Sequence, residues 1–214
     1  MIEILYADDS IAVCVKPVGI DAEHGLPAAL SDGLPAPFYP VHRLDTAVGG
    51  ISVLARTKPA AAALTTAMQR GDWHKEYRAV VSGTPPEGVW EDWLFHDARR
   101  NKSYVVSRER KGVRKARLSC RICAAAAEAE QTLSLLALTL DTGRTHQIRV
   151  QCAFRGTPLL GDGRYGSRER RCTPALWAYR LSFPHPVTGA PLTFTAPLPK
   201  AFPFSLFAAR DDLP

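Results

Sequence analysis

The stretch that organises this chain is VHRLDTAVGG, residues 41–50. A proline-rich loop runs into it, and the apolar run of residues 51–55 leaves it. We therefore predict that Arg43 and Asp45 lie where a loop meets a strand, a common position for functional residues on a rigid scaffold. An Arg two residues from an Asp is usually an ordinary surface pair. This motif alone therefore does not assign a function to the two residues, and the other motifs of the chain are needed.

Length and composition indicate a globular protein. The 214 residues predict one domain, residues 1–214, built from two fused subdomains without a separate linker. Hydrophobic residues make up 46%, and no apolar run approaches the length of a bilayer span. The first ten residues, MIEILYADDS, contain acids and no basic region, so they do not resemble a signal peptide. A cytoplasmic protein without membrane contact is expected.

The charge balance favours a polyanionic partner. Lys and Arg number 27 against 21 Asp and Glu, giving a net charge of +6. The stretch from 97 to 117 concentrates this charge, and it predicts a mobile basic β-hairpin or arm; a solvated basic face is the alternative. Its basic residues are Arg99, Arg100, Lys102, Arg108, Arg110, Lys111, Arg114, Lys115 and Arg117.

The five cysteines do not predict a metal site. Cys120 and Cys123 form one CxxC pair, but no second pair or ligand cluster is present to complete a zinc site. We expect buried, reduced cysteines and no metal.

Hydrophobic periodicity predicts many strands and few helices, which indicates an α+β fold. A helix over residues 58–69 has Pro59 in its first turn and Gly71 at its end. Residues 21–40 are predicted to be a loop with at most one helical turn, and residues 124–130 an alanine-rich turn. Strands are predicted over residues 2–5, 11–15, 50–56, 75–83, 116–123, 132–140, 177–183 and 192–196.

A second dense constellation is DTGRTHQIRV, residues 141–150. Gly143 turns the chain after a strand, and Thr145 is predicted to cap the next element. The periodicity of that element suits a strand or a helix; we favour a helix that stops at Gly156. Arg149 then lies near the positive N-terminal end of that helix, where donors suit a carboxylate or a phosphate.

Five stretches together resemble the pseudouridine synthases of the RluA-like type, and the resemblance runs from about residue 6 to residue 199. Any one stretch is moderate support, whereas five in the family's order are highly specific. They are residues 16–19 (KPVG), 42–45 (HRLD), 75–83 (KEYRAVVSG), 142–150 (TGRTHQIRV), and 161–162 with 165–166 (GD and YG).

The resemblance implies a fold of two α+β subdomains that share a largely antiparallel sheet, with an RNA cleft across the middle. It implies isomerisation of uridine to pseudouridine in RNA, without a cofactor, by a protein expected to be a monomer. Asp45 matches the family's catalytic Asp, Tyr77 its active-site Tyr, and Arg149 the basic partner of that Asp. Arg43 matches a position that fills the gap left by the flipped base. The residues predicted to contact an rRNA or tRNA are His42, Arg43, Arg144, His146, Gln147, Arg99, Arg100, Lys102, Arg108, Arg110 and Lys111.

The chain departs from the family pattern at three places. Val48, Gly49 and Gly50 stand where Thr-Ser-Gly is usual, so two hydroxyl groups are lost there. Gln151 and Trp177 each replace a common His. The N-terminal RNA-binding domain of many relatives is not expected here, so RNA selection would rest on the catalytic domain.

The chemistry explains why these residue types are needed. Flipping a uridine out of its stack costs a few kcal/mol and leaves a gap to fill. Breaking the bond from ribose to base builds positive charge on the sugar, which Asp45 can stabilise or bond to. Tyr77 suits packing on the base or proton removal, although its alternation in the strand also suits an ordinary core Tyr.

Two other functions remain open from the sequence. A nucleoside-bond hydrolase would need a second, water-activating carboxylate, and Asp141 and Asp162 are the candidates. An RNA-binding module with a decayed catalytic site would use the basic stretch alone. The presence of Asp45, Tyr77 and Arg149 argues against the binding module, because binding would not require all three.

Overall fold

The computed structural model describes residues 2–35, 37–129 and 131–210. The chain divides into two compact units, Met1–Lys75 with Trp177–Pro197 and Glu76–Leu176 with Leu198–Pro214. The mixture of strands and few helices confirms the predicted α+β class. The strands are β1 (Glu3–Ala7), β2 (Ile11–Lys16), β3 (Tyr39–Pro40), β4 (Gly49–Ala55), β5 (His74–Ser82), β6 (Gly88–Asp97), β7 (Lys102–Val106), β8 (Val113–Glu128), β9 (Gln131–Leu140), β10 (Leu176–Pro184) and β11 (Pro191–Thr195). The helices are α1 (Gly25–Ser31), α2 (Lys58–Arg70), α3 (Gln147–Phe154) and two 3₁₀ segments, Gly163–Tyr165 and Phe204–Arg210.

The first unit is organised around β4. This strand begins at Gly49, near the end of the VHRLDTAVGG stretch. Its strand order is β1-β2-β4-β10, with β3 beside β4 and β11 beside β10. Only the β4–β10 pair is parallel among these pairings. All seven residues of β4 are buried, so the strand gives the preceding loop a rigid support.

Helix α2 has the ends that the sequence predicts. The Thr57 hydroxyl accepts the N–H of Ala60 at 3.2 Å, and Pro59 lies in the first turn. Gly71 closes the helix with φ +86°, a left-handed conformation that glycine adopts without strain. The predicted helix is confirmed.

Helix α1 corrects the prediction of a loop over residues 21–40. The Asp21 carboxylate accepts the N–H groups of Glu23, His24 and Gly25, which organises the first turn. Leu26 and Leu30, four residues apart, are buried on one face of the helix. Prolines and glycines in this segment favour a loop, so the short amphipathic pattern did not lead to a predicted helix.

The second unit has the antiparallel order β5-β9-β8-β6-β7. The prediction of a β-hairpin within residues 97–117 is wrong, because β6 lies between β7 and β8. Residues 107–112 cross over β6 instead, with the Arg110 guanidinium 5.7 Å from the centre of the Phe95 ring. Two strands that are adjacent in sequence but joined by a crossover show the same alternation of polar and apolar residues as the two strands of a hairpin.

The structure also corrects the prediction of an alanine-rich turn over residues 124–130. Strand β8 continues through it to Glu128 and pairs with β9, with a bulge between Ile122 and Ala124. Residue 130, the end of the predicted turn, lies outside the described residues. Alanine has low strand propensity and weak hydrophobic contrast, so pairing with β9 rather than local preference decides this strand. Separately, no described helix combines the length and apolar character needed to cross a bilayer.

Candidate active site

The loop that carries Asp45 is held by backbone hydrogen bonds at both of its sides. The Val48 N–H donates to the Asp45 carbonyl at 2.9 Å, which closes a tight turn. The Gly19 N–H donates to the Thr46 carbonyl at 2.8 Å, which ties the KPVG turn to this loop. Leu44 is buried between these anchors, and Asp45 itself is half-buried. The prediction that Asp45 lies where a loop meets a strand is confirmed.

His42 anchors the same loop to β4. Its Nε2 accepts the Val53 N–H at 3.1 Å, and its ring meets the Trp73 ring edge-on at 5.4 Å. Burial, with the nearby Lys75 charge as a smaller cause, lowers the pKa of His42 to about 3. The ring is therefore neutral, with Nδ1 carrying the proton. A contact of His42 with RNA stays a prediction.

Lys16 is a site residue that the sequence analysis missed. It is fully buried, and its Nζ donates to the carbonyls of Pro17 (3.0 Å) and Ile20 (2.7 Å). Burial lowers the pKa of Lys16 to about 8, while the carboxylates of Asp45 and Asp21 act in the opposite direction. The structure thus places a buried cation in the field of Asp45. The available signal was a lysine at the end of an otherwise apolar strand.

The Arg43 side chain, unlike that of Lys16, extends toward solvent. It is 61% exposed, and Nη1 contacts Glu23 Oε1 at 2.9 Å. An exposed pair of this kind contributes little to stability, so a stronger anion can displace Glu23 at small cost.

Trp177, itself a departure from the family pattern, accounts for the glycine at position 49. Trp177 lies opposite Gly49 in the parallel β4–β10 pairing. A Cβ added at Gly49 would lie 2.5 Å from the Trp177 ring, and one at Gly50 would collide with the backbone of Ala178. The Trp177 ring thus leaves no space for a side chain at position 49.

Tyr77 lies on β5, paired with Leu138 of β9, and is half-buried. The strand does not alternate as predicted, because Arg78 and Val80 are buried together with Ala79. Both faces of this strand are covered, so the inward face cannot be read from hydrophobicity alone.

Arg149 lies on α3, which confirms the predicted helix, and it is buried in a two-point ion pair. Its Nε donates to Asp162 Oδ2 at 2.7 Å and its Nη2 to Asp162 Oδ1 at 2.8 Å. Its guanidinium also lies 5.2 Å from the centre of the Tyr165 ring. Asp162, which belongs to the GD stretch and is a hydrolase candidate from the sequence, is thus the ion-pair partner of Arg149. Pairing of Arg149 with Asp45 stays a prediction.

The start of α3 differs from the prediction of a Thr145 cap. The residue before the helix is His146, in a left-handed conformation with φ +56° and no side-chain cap. Its Nδ1 bonds the Tyr165 hydroxyl at 2.9 Å, and that hydroxyl accepts the Ser103 N–H at 2.8 Å. Tyr165 therefore ties the start of α3 to β7. RNA contact by His146 stays a prediction.

Gln147 and Arg144 have different exposures. Gln147 is buried; its Oε1 accepts from the Arg144 N–H and the Thr142 hydroxyl, and its Nε2 donates to the Arg117 carbonyl. The Arg144 side chain is exposed, and its Nε donates to the Lys115 carbonyl. The structure gives Gln147 an internal role, and RNA contact by either residue stays a prediction.

The basic stretch contains both paired and exposed cations. Lys115 and Arg117 share Glu91 at 2.6 and 2.8 Å, and Arg117 also pairs with Asp141 at 2.7 Å. Six others are exposed or half-exposed on the turn before β7, on β7 itself and on the crossover after it: Arg99, Arg100, Lys102, Arg108, Arg110 and Lys111.

Both carboxylates considered for a hydrolase are engaged elsewhere. Asp162 is held at both oxygens by Arg149, and Asp141 is bound to Arg117. Each of these carboxylates therefore already binds an arginine side chain. Among the described residues, no group of three His, Cys, Asp or Glu side chains is placed to hold a metal ion.

Comparison with known proteins finds a family model and curated relatives that match much of this chain. The family model described as RNA pseudouridylate synthase matches residues 11–154. The ribosomal large subunit pseudouridine synthase D of Vibrio cholerae is 35% identical, over 99% of this chain and 72% of its own length. Its counterpart from Haemophilus influenzae is 33% identical, again over 99% of this chain and 72% of its own length.

Solved structures show the same fold. Human RNA pseudouridylate synthase domain containing 1 superposes with a TM-score of 0.83 at 25% identity, covering 97% of this chain and 87% of its own. Human RNA pseudouridylate synthase domain containing 4 gives a TM-score of 0.76 at 24% identity, covering 97% and 93%. The chain belongs to the RNA pseudouridylate synthase family, whose members are enzymes that isomerise uridine in RNA.

Proposed function

We propose that this enzyme isomerises uridine to pseudouridine in RNA of the large ribosomal subunit, with Asp45 as the catalytic carboxylate. The observation that carries the proposal is the Asp45 loop, held on one side by the KPVG turn and on the other, through His42, by β4, with the buried cation Lys16 nearby. A carboxylate in a preorganised loop suits the positive charge that develops on the ribose. The names of the relatives favour ribosomal RNA over tRNA.

The target uridine would leave its stack during the reaction, and Arg43 would occupy the gap. The exposure of Arg43 and its weakly held partner Glu23 support this role. A planar guanidinium can stack on bases and bond phosphate. Tyr77 and Arg149 are proposed to act in the same reaction.

The test of the activity is release of tritium from carbon 5 of labelled uridine in large-subunit rRNA. Isomerisation moves the glycosidic bond to carbon 5 and frees its hydrogen, although product and substrate have equal mass. A pseudouridine map of cellular RNA with and without the protein would identify the site. If the wild-type protein releases no tritium from any cellular RNA, the proposed activity is wrong.

Lys16 predicts a pH dependence of the rate. Because its pKa is about 8, Lys16 loses its charge as the pH rises through that value, and the carboxylate of Asp45 loses a nearby cation. We expect the single-turnover rate of the wild-type protein to fall above pH 8. Lys16→Met should be slower near neutral pH and should lack this fall, because its cation is already absent. The same fall in both proteins would assign it to another group, and thermal unfolding checks that the variant is folded.

The crossover after β7 predicts a salt effect. Replacing Arg108, Arg110 and Lys111 with Ala should weaken binding of all RNAs to a similar extent. The log–log dependence of affinity on salt should lose roughly 0.7 to 0.9 of slope for each phosphate contact removed. An unchanged slope with a loss on only one RNA would mean that these side chains read sequence or face solvent.

A further inference from the structure

The segment from Gly163 to Arg171, here called the arginine loop, is a basic feature that the sequence analysis left unassigned. It comes directly after Asp162, the ion-pair partner of Arg149. It also contains Tyr165, whose ring lies 5.2 Å from the Arg149 guanidinium. The arginine loop therefore lies beside Arg149. Its arginines are Arg164, Arg168, Arg170 and Arg171.

Arg171 has an internal role that separates it from the other three. It pairs with Glu169 at 2.7 Å and Glu128 at 3.1 Å, and its guanidinium lies 4.1 Å from the centre of the Phe202 ring. Hydrogen bonds from Arg171 lower the pKa of Glu169 to about 2. The only carboxylate of the arginine loop is thus already matched by one arginine.

Arg164, Arg168 and Arg170 are exposed, and among the residues the structure describes none of their side chains has a carboxylate partner. Arg164 uses Nη1 to bond the carbonyls of Arg100 (3.0 Å) and Asn101 (2.9 Å) in the turn before β7. This contact brings the arginine loop to a basic turn that is 63 residues away in sequence.

The other cations of this surface come close to the same place. A Cβ at Gly163 would lie 2.5 Å from Nη1 of Arg170, so Arg170 packs directly on the turn that precedes Arg164. Lys102 lies 5.4 Å from the centre of the Tyr165 ring. Bringing like charges together from separate segments costs electrostatic free energy unless a polyanion binds there. An anionic ligand bound at this surface would offset that cost.

This surface differs from the crossover that carries Arg110. Leu94 of β6 packs with Val150 of α3 and with Tyr165. The next residue, Phe95, points to the opposite face of the strand and lies against Arg110. The arginine loop shares the α3 side with Arg149, whereas the crossover lies over the other side.

We propose that the arginine loop binds the phosphate backbone of RNA, through Arg164 and Arg170, on the side of α3 that carries Arg149. The inference rests on the proposed function, and it names two RNA contacts beyond it. The guanidinium of arginine donates in a planar fork that matches phosphate oxygens. Arg164 keeps further N–H groups for such a contact, because it holds the turn before β7 through Nη1.

The experiment compares Arg164→Gln/Arg170→Gln with the wild-type protein on one tritium-labelled hairpin of large-subunit rRNA. Lys58→Gln/Arg70→Gln, which removes two exposed charges from α2, is the matched control. Affinity is measured across a salt series, and the single-turnover rate is measured at saturating RNA. We expect the loop variant to lose roughly 1.4 to 1.8 of log–log salt slope, the value for two phosphate contacts. The salt slope of the control should stay at the wild-type value.

An unchanged slope in the loop variant would overturn the inference, and so would an equal loss in the control, which reports net charge alone. If Arg164→Gln loosens the turn and lowers the melting temperature, Arg170→Gln alone replaces the double variant, because the structure gives the Arg170 side chain no hydrogen bond to another described residue. The expected loss of slope is then roughly 0.7 to 0.9, the value for one phosphate contact. Tritium release by the wild-type protein reports on the proposed function separately. Release with an unchanged slope rejects only the arginine loop.

Discussion

Asp45→Asn will release no detectable tritium from labelled rRNA, while its affinity for that RNA will equal or slightly exceed that of the wild-type protein. The substitution keeps the size and the hydrogen-bonding shape of the side chain but removes the negative charge and the nucleophilic oxygen. The loop should keep its position, because backbone bonds at Val48 and Gly19 anchor it. Binding should not suffer, since an anion that faces phosphate has gone.

The matched control for this variant is Asp9→Asn. Asp9 is exposed in the turn after β1, so its substitution makes the same charge change in the same unit without touching the loop. Asp9→Asn should keep the wild-type rate. Tritium release by Asp45→Asn at anything near the wild-type rate would reject Asp45 as the catalytic carboxylate, whereas the family assignment would stand.

Arg149→Met will lose both catalysis and stability, and the structure explains why the two losses have to be separated. Arg149 and Asp162 are almost completely buried, with side-chain exposures of 7% and 1%. Removing one partner of such a pair leaves a buried charge without compensation, which costs about 3–5 kcal/mol of unfolding free energy. A slow Arg149→Met enzyme by itself would therefore not show that Arg149 takes part in the reaction.

The double variant Arg149→Met/Asp162→Leu separates the two effects. An apolar pair of similar volume often replaces a buried ion pair at little cost to stability. We expect urea unfolding to show that the double variant regains most of the lost stability, while its single-turnover tritium release stays strongly reduced. A double variant that regains both stability and activity would mean that Arg149 acts only through the fold.

Local sequence signals were reliable where the structure depends on neighbouring residues. Pro59 and Gly71 placed the ends of α2 within a residue, because helix ends depend on adjacent backbone groups. The position of Asp45 in the loop that leads into β4 was equally predictable, because a proline-rich segment precedes the motif and an apolar run follows it. The resemblance carried in five short stretches gave the family that the comparisons then showed.

Local signals failed where pairing partners were distant. Residues 97–117 alternate like a hairpin, yet β6 lies between β7 and β8, and only the order of strands shows it. The alanines of β8 have little intrinsic preference for a strand, and pairing with β9 stabilises their strand conformation. Leu26 and Leu30 form a helix face only because β2 offers a core against which they pack.

The amino-acid sequence by itself determined the fold class, the family and the candidate residues Asp45, Tyr77 and Arg149, because these depend on local pattern and motif. The tertiary structure decided which charges meet. It brought the buried Lys16 near Asp45 and paired Arg149 with Asp162. It also matched Arg171 with two glutamates while the other arginines of the arginine loop stayed exposed. The physical reason is that the effect of a charge depends on burial and on partners a few ångströms away, and folding brings those partners from separate parts of the chain.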